Sequence, residues 1–66
     1  MTPSELLKIR TDAGLSQEKF ARKLEVVTAT VRNWESFIKK GDIFADQMEF
    51  NIETRVKAWQ SREKSK

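Results

Sequence analysis

Thr28, Ala29, Arg32 and Asn33 are the residues whose types and spacing suit a definite chemistry. On a helix through residues 28–36 they point away from the apolar pair Val31 and Trp34. An arginine guanidinium bonds both acceptors on the major-groove edge of guanine, and an asparagine carboxamide grips adenine in the same two-point way. The Ala29 methyl suits the methyl of thymine, and the Thr28 hydroxyl suits a base or a phosphate. An apolar partner would not select so small and polar a row. Base edges would.

Elsewhere the chain offers little reactive chemistry. It has no histidine and no cysteine, which removes the commonest general base, thiol nucleophiles, disulfides and the usual ligands of structural zinc. The serines have no base partner in the sequence, and no glycine-rich loop is present to cradle a phosphate. Asp42 and Asp46 form at best a weak cation site, since a turn and a helix cap use the same residue type. A domain this small has little room for a deep pocket holding a group of strongly shifted pKa. The expectation is a non-enzyme with no cofactor, no metal and no small-molecule ligand.

Two short helices must position the row. Residues 17–24 carry Phe20, Ala21 and Leu24 on one face, and residues 28–36 carry Val31 and Trp34, followed by Phe37 and Ile38. Only Glu25, Val26 and Val27 separate the two, so they must cross steeply, as in a helix-turn-helix. Ala21 lies where the crossing helices come closest, and Val31 packs back onto that contact. Upstream, Thr2-Pro3-Ser4-Glu5 reads as a helix start: a cap, a proline suited to the first position, and a glutamate completing a capping box. The first helix then spans about residues 3–13, with Leu6, Ile9 and Ala13 facing inward. Gly14 closes it in the left-handed conformation while Leu15 folds back on the last turn. Ser16 caps the second helix, with Glu18 on its positive end.

Downstream the pattern allows two readings. Met48, Ile52, Val56 and Trp59 fit one face of a helix. Met48, Phe50 and Ile52 also alternate with Glu49, Asn51 and Glu53, as in a strand. The absence of glycine and proline favours a helix over about 47–61, with Asp46 and Glu49 as its cap; a C-terminal β-hairpin is the lesser alternative. The third helix runs on to about Ile38. Lys39, Lys40 and Gly41 then make a flexible basic corner, serving either as a phosphate clamp or as a solvated turn. Ile43, Phe44 and Phe50 exceed what a four-helix core needs, which points to a dimer interface or to a thick local core.

Leu15-Ser16-Gln17, Phe20-Ala21, Leu24, Val26, Thr30-Val31 and Trp34-Glu35 together resemble the phage repressor and Cro proteins, the Xre-like helix-turn-helix family. Leu6, Ile9, Arg10 and Gly14 extend the resemblance over residues 5–35, about half of the chain. It says little about residues 36–66. The resemblance implies an all-α, lambda-repressor-like DNA-binding domain of about four to five short helices. In that arrangement the third helix enters the major groove and the second crosses the backbone. It implies that Gln17 bonds a phosphate or supports a base-reading residue. It also implies an internal salt bridge from Arg10 to Glu35, tying the first helix to the end of the third.

Two positions depart from the family. Glu25 stands where glycine is usual, and a left-handed glutamate is strained by on the order of 1 kcal/mol. Val27 stands where serine or threonine usually caps the reading helix, so Thr28 would cap instead and shift the helix start by one residue.

Sixty-six residues make one domain, here 1–61, with a basic flexible tail at 62–66. A chain of this length buries roughly 60% of its unfolded surface, so a partner would help it. The net charge of +3 is concentrated at the end: Lys57, Arg62, Lys64 and Lys66 stand against Glu63, and the preceding residues balance. Phosphate attraction within the globular part needs a local patch, for which Gln17, Arg22, Lys39 and Lys40 are the candidates. No apolar run approaches the roughly 20 residues of a membrane span, and no signal peptide is evident. A cytoplasmic protein of a bacterial or phage-infected cell is expected.

One copy offers few base contacts, which favours a homodimer through residues 43–59 on a palindromic site of double-stranded DNA. The reading is a sequence-specific transcriptional regulator, most simply a repressor. The same domain also serves antitoxins and restriction-control proteins that regulate their own operons. A protein-interaction module on this fold should instead show an apolar or acidic outer face on the third helix.

Overall fold

The computed structural model describes residues 1–64. They form α1 (Pro3–Asp12), α2 (Gln17–Leu24), α3 (Thr28–Ser36), a short 3-10 turn (Phe37–Lys40) and α4 (Asp46–Lys64). The protein is all-α, with no strand among the described residues. The alternating pattern at 48–53 therefore belongs to a helix, and the β-hairpin alternative is set aside.

The first two helices end by the same device. The Leu15 N–H donates to Arg10 O at 3.1 Å and the Gly14 N–H to Thr11 O at 3.0 Å, with Gly14 at φ 70°. The Val26 N–H donates to Ala21 O at 2.9 Å and the Glu25 N–H to Arg22 O at 3.2 Å, with Glu25 at φ 62°. Both pairs satisfy carbonyls in the last turn of their helices, and both tuck the following apolar residue, Leu15 or Val26, against the core. Glycine does this without strain once, and glutamate does it under strain once. At the start of α1 the Thr2 hydroxyl accepts from the Glu5 N–H at 3.2 Å, as its sequence suggests. The helix stops at Asp12, one residue early, so Ala13 is an exposed cap residue and not part of the inward face.

Three further expectations need correction. Thr28 does not cap α3: Val27 is the extended cap residue, without a side-chain bond, and Thr28 is already helical. The left-handed Glu25 followed by extended Val27 fixes where the chain re-enters the helical region, so the anticipated shift does not occur. The basic corner is not loose. The α-helix ends at Ser36, tightens into the 3-10 turn, and closes through left-handed Gly41 and a bond from the Asp42 N–H to Phe37 O at 3.0 Å. The Asp42 carboxylate then accepts from the Ser4 N–H and hydroxyl, both at 2.8 Å, capping α1 from across the chain. With Asp42 so engaged, no group of three or more metal-ligating side chains gathers among the described residues.

The third correction concerns the chain end. Residues 62–64 continue α4 instead of fraying. Arg62 donates to Glu25 Oε1 at 3.0 Å and to Lys23 O at 2.8 Å, and the Trp59 indole donates to Glu63 Oε1 at 3.0 Å. The rest of the expected tail, 65–66, lies outside the described residues.

The core is one cluster: Leu6, Phe20, Ala21, Leu24, Val31, Trp34, Phe44, Ile52, Val56 and Trp59. Phe20 meets Trp59 edge-on at 5.6 Å, joining α2 to α4. Phe44 packs on Phe37 at 5.8 Å and is buried, so of the apolar surplus only Ile43 and Phe50 stay on the surface. No helix among the described residues is long and apolar enough to cross a membrane.

Candidate nucleic-acid interface

The row singled out by sequence lies on α3, over the buried Val31 and Trp34. Ala29, Arg32 and Asn33 are exposed and Thr28 is half-buried at the helix start. Arg32 and Asn33 point outward, and no hydrogen bond from another described residue engages their side chains. Their donors and acceptors are unspent among the described residues.

What holds α3 in place is a polar network behind it. Arg10 Nε donates to Glu35 Oε2 at 2.7 Å and Nη2 donates to Glu35 Oε1 at 3.2 Å, a two-point pair. Arg10 Nη1 also donates to Leu15 O at 2.9 Å. The pair is mostly shielded, with side-chain exposures of 16% and 12%, which separates it from an ordinary surface ion pair. The resemblance implied this bridge, which is present, and the structure adds a third member. The Gln17 carboxamide donates to Glu35 Oε1 at 3.0 Å. Gln17 is therefore half-buried. The first turn of α2 faces the end of α3, where the Glu35 carboxylate has a lone pair to spare. One carboxylate thus gathers donors from α1 and α2 onto α3.

The remaining candidates are distributed unevenly. Lys39 and Lys40 are exposed on the 3-10 turn that continues α3, and Lys40 Nζ stands 5.1 Å over the Phe37 ring. They extend α3 at its C-terminal end. Arg22 is not gathered with this row. It pairs with Glu18 at 2.9 Å along the surface of α2, and with Lys23, Trp59 and Arg62 it borders a hollow beside the end of α4.

Sequence reasoning gave no role to Arg55, Asp42 as a cap for α1, or Arg62 as a tie between α4 and the turn after α2. Arg55 Nη1 donates to Leu24 O at 3.1 Å and to Glu25 O at 3.4 Å, serving the carbonyls at the end of α2. Each such contact joins residues some thirty or more positions apart, for which local spacing carries no signal. Comparison with protein-family models, with curated proteins and with solved structures gives no match to this chain.

Proposed function

We propose that this protein binds duplex DNA sequence-specifically through the outer face of α3, as a transcriptional regulator and most simply a repressor. The observation carrying this reading is the exposed pair Arg32 and Asn33 on a helix locked from behind by Val31, Trp34 and the Arg10–Glu35–Gln17 network. Base discrimination needs donors held to within about 0.5 Å, and a helix anchored on three sides supplies that rigidity. In this reading Arg32 and Asn33 bond base edges, Ala29 meets a thymine methyl, and Thr28 bonds a base or a phosphate.

Lys39 and Lys40 contact the sugar-phosphate backbone, which positions the helix without specifying sequence. Gln17 acts chiefly by bracing Glu35, with the N-terminal end of α2 offering N–H groups to a phosphate. Arg22, on another flank, adds only general attraction. Two copies bind a palindromic site, meeting through residues 43–59, where Ile43 is 73% and Phe50 70% exposed. Such a regulator works in the cytoplasm of a bacterial or phage-infected cell.

The test is selection of bound duplexes from a random-sequence pool at a stated salt concentration. A palindromic consensus with half-sites about one helical turn apart is the expected result. Equal retention of selected and scrambled duplexes, or retention of none, overturns the reading.

A further inference from the structure

Two arginines of α4 finish the end of α2. The Ala21 and Arg22 carbonyls accept from the Val26 and Glu25 N–H groups. The next three carbonyls in the chain receive guanidinium N–H groups instead. Arg62 Nη2 donates to Lys23 O at 2.8 Å, and Arg55 Nη1 donates to Leu24 O at 3.1 Å and to Glu25 O at 3.4 Å. Carbonyls at the end of a helix have no partner within it and carry its negative partial charge, so cationic donors suit them. Arg55 and Arg62 lie about two turns apart along α4, so one helix presents both to the same turn.

That turn leads into α3, whose start lacks a bond of its own. Val27 caps it without a side-chain hydrogen bond and is 67% exposed. An open groove bordered by Thr30 of α3 and Asn51 of α4 separates the two helices there. The far end of α3 is braced by Glu35 through Arg10 and Gln17. Its near end depends on the path of the chain through left-handed Glu25 and extended Val27.

We infer that Arg55 and Arg62 are positioning residues for the outer face of α3. Both bond backbone carbonyls, so what they fix is the direction in which the chain leaves α2. Arg62 also divides its guanidinium, with Nη1 on Glu25 Oε1 at 3.0 Å and Nη2 on Lys23 O, and so spans from the last turn of α2 to the left-handed residue. Control of the base-reading row thus lies on α4, a helix that contributes no residue to the row. The consequence for recognition rests on the duplex reading; the effect on α3 itself does not.

The experiment compares Arg55→Met, Arg62→Met and the double variant with Arg55→Lys, each in the full chain and each folded by circular dichroism. In the free protein the double variant should shift the amide signals of Thr28, Ala29 and Val31. It should also speed hydrogen exchange at Val26 by about tenfold or more, with the core amides of Phe20 and Val56 unchanged. On duplexes, the ratio of affinities for selected over scrambled sequence should fall about tenfold, the size of one weakened base contact. The slope of log affinity against log salt should hold. Arg55→Lys should keep the discrimination that Arg55→Met loses, since one ammonium can replace the single nitrogen that Arg55 uses.

Unmoved α3 signals overturn the proposal, as does an intact affinity ratio in the double variant. Equal acceleration at Phe20 and Val56 also overturns it, by showing a general loss of stability. A salt slope shallower by about one per arginine overturns it by assigning both to phosphate contact. Should the unaltered chain fail to tell duplexes apart, the duplex reading falls, and the α3 signals and Val26 exchange alone decide the role of the two arginines.

Discussion

Arg32 and Glu25 are both exposed, yet they make opposite demands on the chain. Arg32 costs the fold nothing and, in the proposed role, supplies specificity. Arg32→Ala should leave thermal unfolding unchanged and weaken binding to a selected duplex by about 1–3 kcal/mol, with the preference relaxed at a single base pair. An equal loss on every sequence, measured by competition binding, would reassign Arg32 to a phosphate. Glu25 is the reverse case. At φ 62° and ψ 41° it sits where a side chain is disfavoured, and its bond to Arg62 joins two exposed groups, at 3.0 Å. An exposed ion pair of this kind contributes little. Glu25→Gly should therefore raise stability by up to about 1 kcal/mol, read as a higher denaturant midpoint at unchanged slope. A lower midpoint would mean that the Arg62 tie outweighs the backbone strain.

The helices differ in how openly the sequence announces them, and the reason is physical. Caps and turns are written locally: Thr2 and Ser16 before their helices, Gly14 after the first, and Phe20, Ala21 and Leu24 on one face suffice to place α1 and α2. The stripe Ile52, Val56 and Trp59 likewise places α4, whose true length depends on ties that the stripe does not contain. Lys23 and Glu25 grip Arg62 from the other side of the molecule, and this keeps the helix wound three residues beyond the expected end. The same blindness hid the order at Gly41–Asp42, where the determinant is Ser4.

For the candidate interface, the outward row was legible from the spacing of Val31 and Trp34, and Arg10–Glu35 from resemblance; Gln17 as their third member was not. That network predicts a measurable coupling between helices. Glu35→Ala strands a shielded guanidinium and removes the acceptor of the Gln17 amide. The loss should fall between that of exposed and buried ion pairs, about 2–3 kcal/mol by chemical denaturation. Arg10→Ala combined with Glu35→Ala should cost clearly less than the two single losses added together. Strict additivity would show that the pair acts as two separate surface charges.

A molecule 36 Å long and 20–22 Å across in the other directions, with no disulfide, must hold its two ends by weaker means. Here the amino terminus lies against α4. The Met1 ammonium donates to Glu49 Oε1 at 2.7 Å and to Glu53 Oε1 at 3.1 Å, while the Met1 side chain packs on the core. The hydrogen bond to Glu49, then that to Glu53, raises the ammonium pKa from 8.0 to about 10 against a smaller opposing desolvation. A group whose pKa is higher in the folded state binds its proton more tightly there, so folding is favoured wherever the amine is protonated. The contribution is complete below about pH 8, declines as pH rises through about 10, and is absent above that.

For the 66-residue chain with a free amino terminus, the melting temperature should therefore fall between pH 8 and pH 10. The fall alone does not name the amine as its cause. The N-terminally acetylated chain separates the causes: it should melt lower than the free form at pH 7, and the two should converge as pH approaches 10. Parallel curves with no gap at pH 7 would mean that Glu49 and Glu53 hold the first residue without adding stability, leaving the Met1 side chain as the real anchor between the amino terminus and α4.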